Sequence, residues 1–260
     1  MITSQDAAGG SWLVAWPSRL TPVVDLLCFA GAGAGASVFR PWAQGLPAFA
    51  ALIACQLPGR ENRIDEPAAA SLADAAGRVG AAYLALRPQP RPVVLFGHSM
   101  GGSLAFQVAR GLDQAGRAPA AIVISASAPP TGTGQAQPPG HDELRRLLLA
   151  YDPANQAIAA DPELFMSLAP TLGADIALLR THAITPPDIA LAVPACLLAG
   201  AEDRLVPAAA VARWMAHLRG PVTQEVLPGG HHFPFTTSRQ AVLARLGTLL
   251  RQAGGRGAGR

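Results

Sequence analysis

The stretch Val93-Val94-Leu95-Phe96-Gly97-His98-Ser99-Met100-Gly101-Gly102 decides how this chain is read. Four consecutive apolar residues suit a strand buried on both faces. They run into the pattern G-x-S-x-G, and a helical pattern follows over about residues 102–112. Glycines on either side of a lone serine permit the tight strand-to-helix turn that lifts the hydroxyl above a sheet. The helix N-terminus beyond it favours developing negative charge. Ser99 is therefore the candidate nucleophile. The bland alternative is an ordinary βα turn, and the strand and helix flanking the motif argue against it.

Working outward, residues 23–29, 51–57, 120–125, 195–199 and 224–227 read as further strands, most of them nearly continuous in apolar character. Residues 71–86 carry helical periodicity, with Ser71 as N-cap and Asp74 three positions on, a variant of the capping box. Strands alternating with helices give an α/β class: a mostly parallel central sheet with helices on both faces. At 260 residues the chain is expected to form one domain.

One stretch breaks the alternation. About 65 residues separate the strand ending near Ser125 from the one starting near Pro194, far more than a crossover needs. They open on a Pro/Gly/Thr/Gln-rich run, 129–140, followed by helical patterns at 141–151, 162–168 and 174–182. We read residues 129–190 as an inserted helical lid; the plain alternative is a surface excursion. Residues 253–260 contain only Gly, Ala and Arg and are expected to be a disordered tail.

Composition excludes several functions. All twenty basic residues are arginine, so there is no Schiff-base or P-loop lysine. The net charge is +3, without a basic stripe interleaved with aromatics, which argues against nucleic acid; scattered arginines are compatible with an acidic protein partner. No uncharged apolar run approaches the ~18 residues of a membrane span, and the N-terminus does not read as a signal peptide. Cys28, Cys55 and Cys196 sit in strand-like apolar runs without CxxC spacing. They read as buried, reduced thiols of a cytoplasmic protein, not as metal ligands. No metal or cofactor is expected.

A serine nucleophile at such a turn calls for an acid and then a base further along the chain. Asp203 follows the 195–199 strand in a polar turn, with Glu202 as competitor. The base comes from Pro228-Gly229-Gly230-His231-His232, and spacing alone does not separate the two histidines. His98 reads as a packing neighbour of Ser99; His141, His182 and His217 read as bland. An oxyanion hole needs two backbone N–H groups. Met100 supplies one, and the small-residue loop 31–35 is the candidate for the other.

That loop also supports a rival reading. Gly31-x-Gly33-x-x-Ala36 after a strand formally matches a dinucleotide fingerprint. Pro41, Gly45 and Pro47 interrupt the helix it requires, and the second strand ends in Gln56-Leu57 where an acidic residue is wanted. A third reading, a binding protein with a vestigial site, is disfavoured by the intact Ser, Asp and His set.

Taken together, Leu27-Cys28-Phe29, Phe39-Arg40-Pro41-Trp42-Ala43, Gln56-Leu57-Pro58-Gly59-Arg60-Glu61, the Ser99 motif and Pro228-Gly229-Gly230-His231 resemble type II thioesterases of the α/β-hydrolase superfamily. These are the stand-alone editing enzymes of nonribosomal peptide and polyketide synthesis. The Gln56–Glu61 run is the most diagnostic, since generic hydrolases lack it. The resemblance implies Ser99 as nucleophile, Asp203 as acid, His231 as base, and Ala32 and Met100 as oxyanion donors. It implies an acyl or peptidyl carrier protein as partner, bearing a phosphopantetheine thioester. The chain departs from the family in the early loop, in the lid at Leu172-Gly173-Ala174-Asp175-Ile176, and at His232, where the family usually has an aromatic. Those departures bear on acyl preference. A small-molecule carboxylesterase or acyl-CoA thioesterase of the same fold is the runner-up.

Overall fold

A computed structural model describes residues 2–6, 9–130, 137–181 and 190–257. Among them an eight-stranded sheet runs in the order β1-β2-β4-β3-β5-β6-β7-β8. The strands are β1 (Ile2–Asp6), β2 (Gly9–Ala15), β3 (Val24–Phe29), β4 (Ala50–Cys55), β5 (Val93–His98), β6 (Ala121–Ser125), β7 (Ala195–Gly200) and β8 (Val222–Leu227). From β4 to β8 every pairing is parallel. Only β1 and β2 are antiparallel, with β2 pairing onto β4. The fold class read from the sequence is the one observed.

The near-continuous apolar strands are explained by cover on both faces. Leu27, Phe29 and Leu95 face a core built with α1 (Leu72–Leu86) and α2 (Met100–Gln114). Val24, Leu26, Cys28, Val94 and Phe96 face the opposite core, with Phe39, Trp42 and the helix that begins at Arg239. Each fully buried Leu, Val or Phe contributes about 1.5–3 kcal/mol of transfer free energy. As expected, α1 is capped by Ser71, whose hydroxyl accepts the Asp74 N–H at 3.1 Å.

Three local expectations are corrected. Two N-terminal strands went unread because 2–15 is short, carries small and polar residues over most of its first ten positions, and lies at the sheet edge. The patterns at 162–168 and 174–182 are one helix. After α3 (His141–Tyr151) and α4 (Gln156–Ala160), α5 runs unbroken from Pro162 to Arg180. It carries Pro170 internally because Phe165, Ala169, Leu172 and Ile176 form a continuous buried stripe. The tail expected from Ala253 is helical to Gly257, in α7 (Arg239–Gly257). There Ala253 extends the buried stripe Val242, Leu246, Leu250. Residues 258–260, the half of the Pro/Gly-rich run at 131–136, and His182 within 182–189 lie outside the described residues.

Helices α3 to α5 pack a small apolar cluster of their own, including Leu144, Leu148, Phe165 and Leu172. Between α5 and α7 only α6 (Ala208–Ala212) intervenes as an α-helix among the described residues. No helix of the described residues is long and apolar enough to cross a membrane, and no metal-holding group of His, Cys, Asp and Glu occurs among them. Cys28, Cys55 and Cys196 are unpaired and buried, and burial pushes the Cys28 thiol pKa well up.

Candidate active site

The parallel strands end together, with Phe29 beside Gly97 and His98 beside Ser125. Ser99 follows at once, with φ 54° and ψ −123°, a left-handed backbone that a side-chain-bearing residue rarely adopts. Gly97 and Gly101 make it possible. A Cβ on Gly97 would run into the Gly101 carbonyl, and one on Gly101 into that of Phe29. The serine therefore stands at the start of α2 with its hydroxyl above the sheet.

Two distant loops meet it there. His231 Nε2 lies 3.0 Å from Ser99 Oγ, and His231 Nδ1 lies 2.8 Å from Asp203 Oδ2. A carboxylate only accepts, so Nδ1 carries the proton and Nε2 is left to accept from the serine hydroxyl. Asp203 is fixed in turn, because its Oδ1 accepts the N–H groups of Leu205 and Val206, each at 2.9 Å. His231 and Asp203 are both buried.

The alternatives left open by spacing separate by geometry. His232 has neither contact; burial and the neighbouring His231 lower its pKa. Glu202 points elsewhere and accepts the Gly229 N–H, so it braces the loop that carries His231. His98 is buried against the His231 ring and bonds Ser125 Oγ through Nδ1. Burial first, then His231, holds its pKa well below the usual imidazole range. His141 packs on Phe165 in the α3–α5 cluster and His217 on Trp214.

The loop after β3 lies against the serine: a Cβ on Gly31 would stand 3.3 Å from Ser99 Cβ. Ala34 N–H bonds Gly31 O at 3.1 Å, closing a turn with Ala32 and Gly33 at its centre. Ala32 and Met100, the expected donors, thus sit on the two segments flanking Ser99. A cavity of about 430 Å³ opens beside Ser99, walled by Met100, Ser127, Pro129, Leu179 and Val206. Its walls come from the start of α2, the end of β6 and the segment after it, the end of α5 and the Asp203 loop.

The thioesterase domain model matches residues 24–250, most of the chain. The chain belongs to the thioesterase family. It is 31% identical over 238 residues to a probable cadicidin biosynthesis thioesterase of Streptomyces griseus. That match covers 89% of this chain but 64% of the relative, so the chain spans under two thirds of that protein's length. RedJ, the thioesterase of the prodiginine pathway in Streptomyces coelicolor, superposes with a TM-score of 0.79 at 29% identity, covering 88% of this chain and 91% of RedJ. YbtT, a type II thioesterase of the yersiniabactin pathway, gives 0.81 at 26%, covering 94% and 99%. The thioesterase-family fold here is that of the α/β-hydrolases.

Within this thioesterase-family chain, the Gln56–Glu61 run has a physical job that sequence reasoning did not supply. All three of its polar side chains reach the loop after β3. Gln56 Oε1 accepts the Ala36 N–H at 2.7 Å, and Glu61 Oε1 accepts Ser37 N–H and Oγ–H at 3.2 and 2.6 Å. Arg60 Nη1 donates to Ala34 O at 3.1 Å. Two residues of helices α3 and α5 also went unread. Asp175 of α5 pairs with Arg60, and Tyr151 of α3 stacks on the His231 ring, 5.2 Å between centroids and 17° between planes. Burial and then the Asp175 charge push the Tyr151 pKa up to about 12. The departure noted at Leu172–Ile176 keeps an aspartate, which was the available signal.

Proposed function

We propose that this chain is a serine hydrolase that cleaves acyl thioesters from the phosphopantetheine arm of acyl or peptidyl carrier proteins, clearing stalled or incorrect acyl groups. The observation that carries the reading is the Ser99–His231–Asp203 chain of contacts, at 3.0 and 2.8 Å. His231 Nε2 takes the Ser99 proton as Oγ attacks the thioester carbonyl. Asp203 holds the tautomer and offsets the charge of the imidazolium that forms. The N–H groups of Ala32 and Met100 stabilise the tetrahedral oxygen. The C–S bond then breaks and the thiol leaves with the His231 proton. Water, deprotonated by His231, releases the acid and regenerates Ser99. None of these steps calls for a metal or cofactor.

The carrier-protein substrate is supported by YbtT, a type II thioesterase of a nonribosomal peptide/polyketide pathway, and by relatives named for cadicidin and prodiginine biosynthesis. The cavity beside Ser99 offers room for an acyl group under the lid. Three unpaired buried thiols support a reducing compartment, the cytoplasm.

The test presents one acyl group on a carrier protein, on coenzyme A and as an alkyl ester. Hydrolysis should be fastest on the carrier; a preference for the alkyl ester moves the assignment to a carboxylesterase. Ser99→Ala should lose on the order of 10⁶-fold in turnover while staying folded. His231→Ala should be far more damaging than His232→Ala, and the reverse order overturns the assignment of the base.

A further inference from the structure

Arg60 and Asp175 are 115 residues apart in sequence, buried, and joined by two contacts of 2.6 Å. No contact joins either to Ser99, His231 or Asp203, so the mechanism above does not use them. Both nevertheless hold the same turn. Asp175 Oδ2 accepts the Gly33 N–H at 2.8 Å, and Arg60 Nη1 donates to Ala34 O at 3.1 Å. Arg60 is itself braced on Pro58 O through Nε and Nη2. Gly33 has φ +80°, the value of the third residue of a type II turn. Type I and type II turns differ by a flip of the central peptide, and here that peptide carries the Gly33 N–H. The Asp175 carboxylate holds it on one side. Ala32 supplies the carbonyl of that peptide; its N–H, the proposed oxyanion donor, lies on the preceding peptide and takes its place from the turn as a whole.

We propose that Arg60 and Asp175 are a positioning pair for the oxyanion turn: together they aim the Ala32 N–H. Because Asp175 belongs to α5, the turn is fully held only while the lid is seated, with Leu168 and Leu172 packed over Gly33. The proposal rests on the reading of Ser99 as nucleophile and Ala32 as donor. A donor acts on a developing oxyanion only when aimed at it, so a loosened turn acts on the transition state and not on substrate affinity.

Asp175→Asn tests this at nearly constant shape. With its amide oxygen in the Oδ2 place, the side chain keeps Gly33 N–H and Arg60 Nη1 but sets an NH2 donor against Arg60 Nη2. Flipped, it loses Gly33 N–H and Nη1, so the hold on the turn is broken or loosened in either orientation. The measurements are kcat and KM on an acyl-N-acetylcysteamine thioester, with affinities for two inhibitors. One is a trifluoromethyl ketone, which forms a tetrahedral oxyanion on serine; the other is an unreactive thioether analogue. The expected result is a kcat loss of about 10- to 100-fold with KM little changed. Ketone affinity should weaken in step, and thioether affinity should hold. Arg60→Lys keeps a cation beside Asp175 but loses the fork, and should show the same split at smaller size; it decides the matter if Asp175→Asn fails to fold. Unchanged kcat, or equal losses for ketone and thioether, overturns the pair. A wild-type chain inert towards every thioester overturns the functional reading instead, and this proposal with it.

Discussion

Asp25 and Asp175 are two buried carboxylates at opposite ends of the same sheet, and they do different work. Asp25, near the start of β3, accepts from Tyr83 Oη at 2.9 Å, Arg87 Nε at 2.7 Å and Arg91 Nη1 at 3.1 Å. Its side-chain partners all come from α1 and the segment leading into β5. Burial and the Asp25 charge both raise the Tyr83 pKa. Asp175, at the other end, joins three separate pieces: the lid helix, the Gln56–Glu61 loop and the turn beside Ser99. Burying a carboxylate costs several kcal/mol at either place unless it is paired. The difference lies in what is held. The Asp25 carboxylate fixes side chains, whereas Asp175 also fixes a backbone N–H in the turn on which the proposed chemistry depends.

The comparison breaks most readily at Asp25. Asp25→Ala leaves Tyr83 and two arginines without their shared acceptor, and should cost roughly 3 kcal/mol, discounted because Arg87 and Arg91 regain water. For a domain of this size that is a fall in Tm of about 6–12 °C. Turnover per folded molecule should not change. Calorimetry with active-site titration measures both. A kcat loss matching that of Asp175→Asn would show that the two ends of the sheet are not separable in this way.

The same contrast explains what was legible in the sequence. The strands, the Ser99 turn and the N-cap at Ser71 are specified by neighbours along the chain, so local pattern reveals them. The order of Ser99, Asp203 and His231 is readable because each follows a strand end, and parallel strands deliver their ends to one side. The choice between His231 and His232 depends on how the 228–232 turn is braced, including by Glu202, and spacing does not encode that. Arg60 and Asp175 were illegible as a pair: a lone Arg in a loop and a lone Asp on a helix read as solvated surface. The resemblance marked the Gln56–Glu61 run as diagnostic without its reason, which is three side chains holding one loop. Sequence also split α5, because Pro170 and Gly173 outweigh the buried stripe in any short window.

Tyr151 sharpens the comparison from inside the lid. It reaches the site by ring stacking, without the charge that Asp175 brings. Such a stack is worth about 0.5–1.5 kcal/mol, so Tyr151→Ala should lower kcat by about 2- to 10-fold, less than Asp175→Asn. Tyr151→Phe keeps the ring and should match wild type. Steady-state kinetics on the same thioester separate these outcomes. A Tyr151→Ala loss as large as that of Asp175→Asn would mean that lid seating alone, and not the hold on Gly33 N–H, governs the turn.

The smallest effect concerns acid, and asks whether the Ser99 end of the sheet sets it. His98, His232 and His217 all have pKa values lowered by burial. A histidine whose folded pKa is depressed binds its proton more readily when unfolded. Its contribution is complete above the unfolded value of about 6.5 and is lost as pH falls towards the folded value. Stability should therefore drop between pH 7 and pH 5, with His98 the largest single contributor because its ring is fully enclosed and faces His231 and His232. His98→Asn removes that titration. The variant will be less stable at pH 7, yet its Tm should fall less between pH 7 and pH 5 than the wild type's, by a few degrees in thermal melts. Parallel curves for the two proteins would remove His98 from the account and leave acid sensitivity to groups away from Ser99.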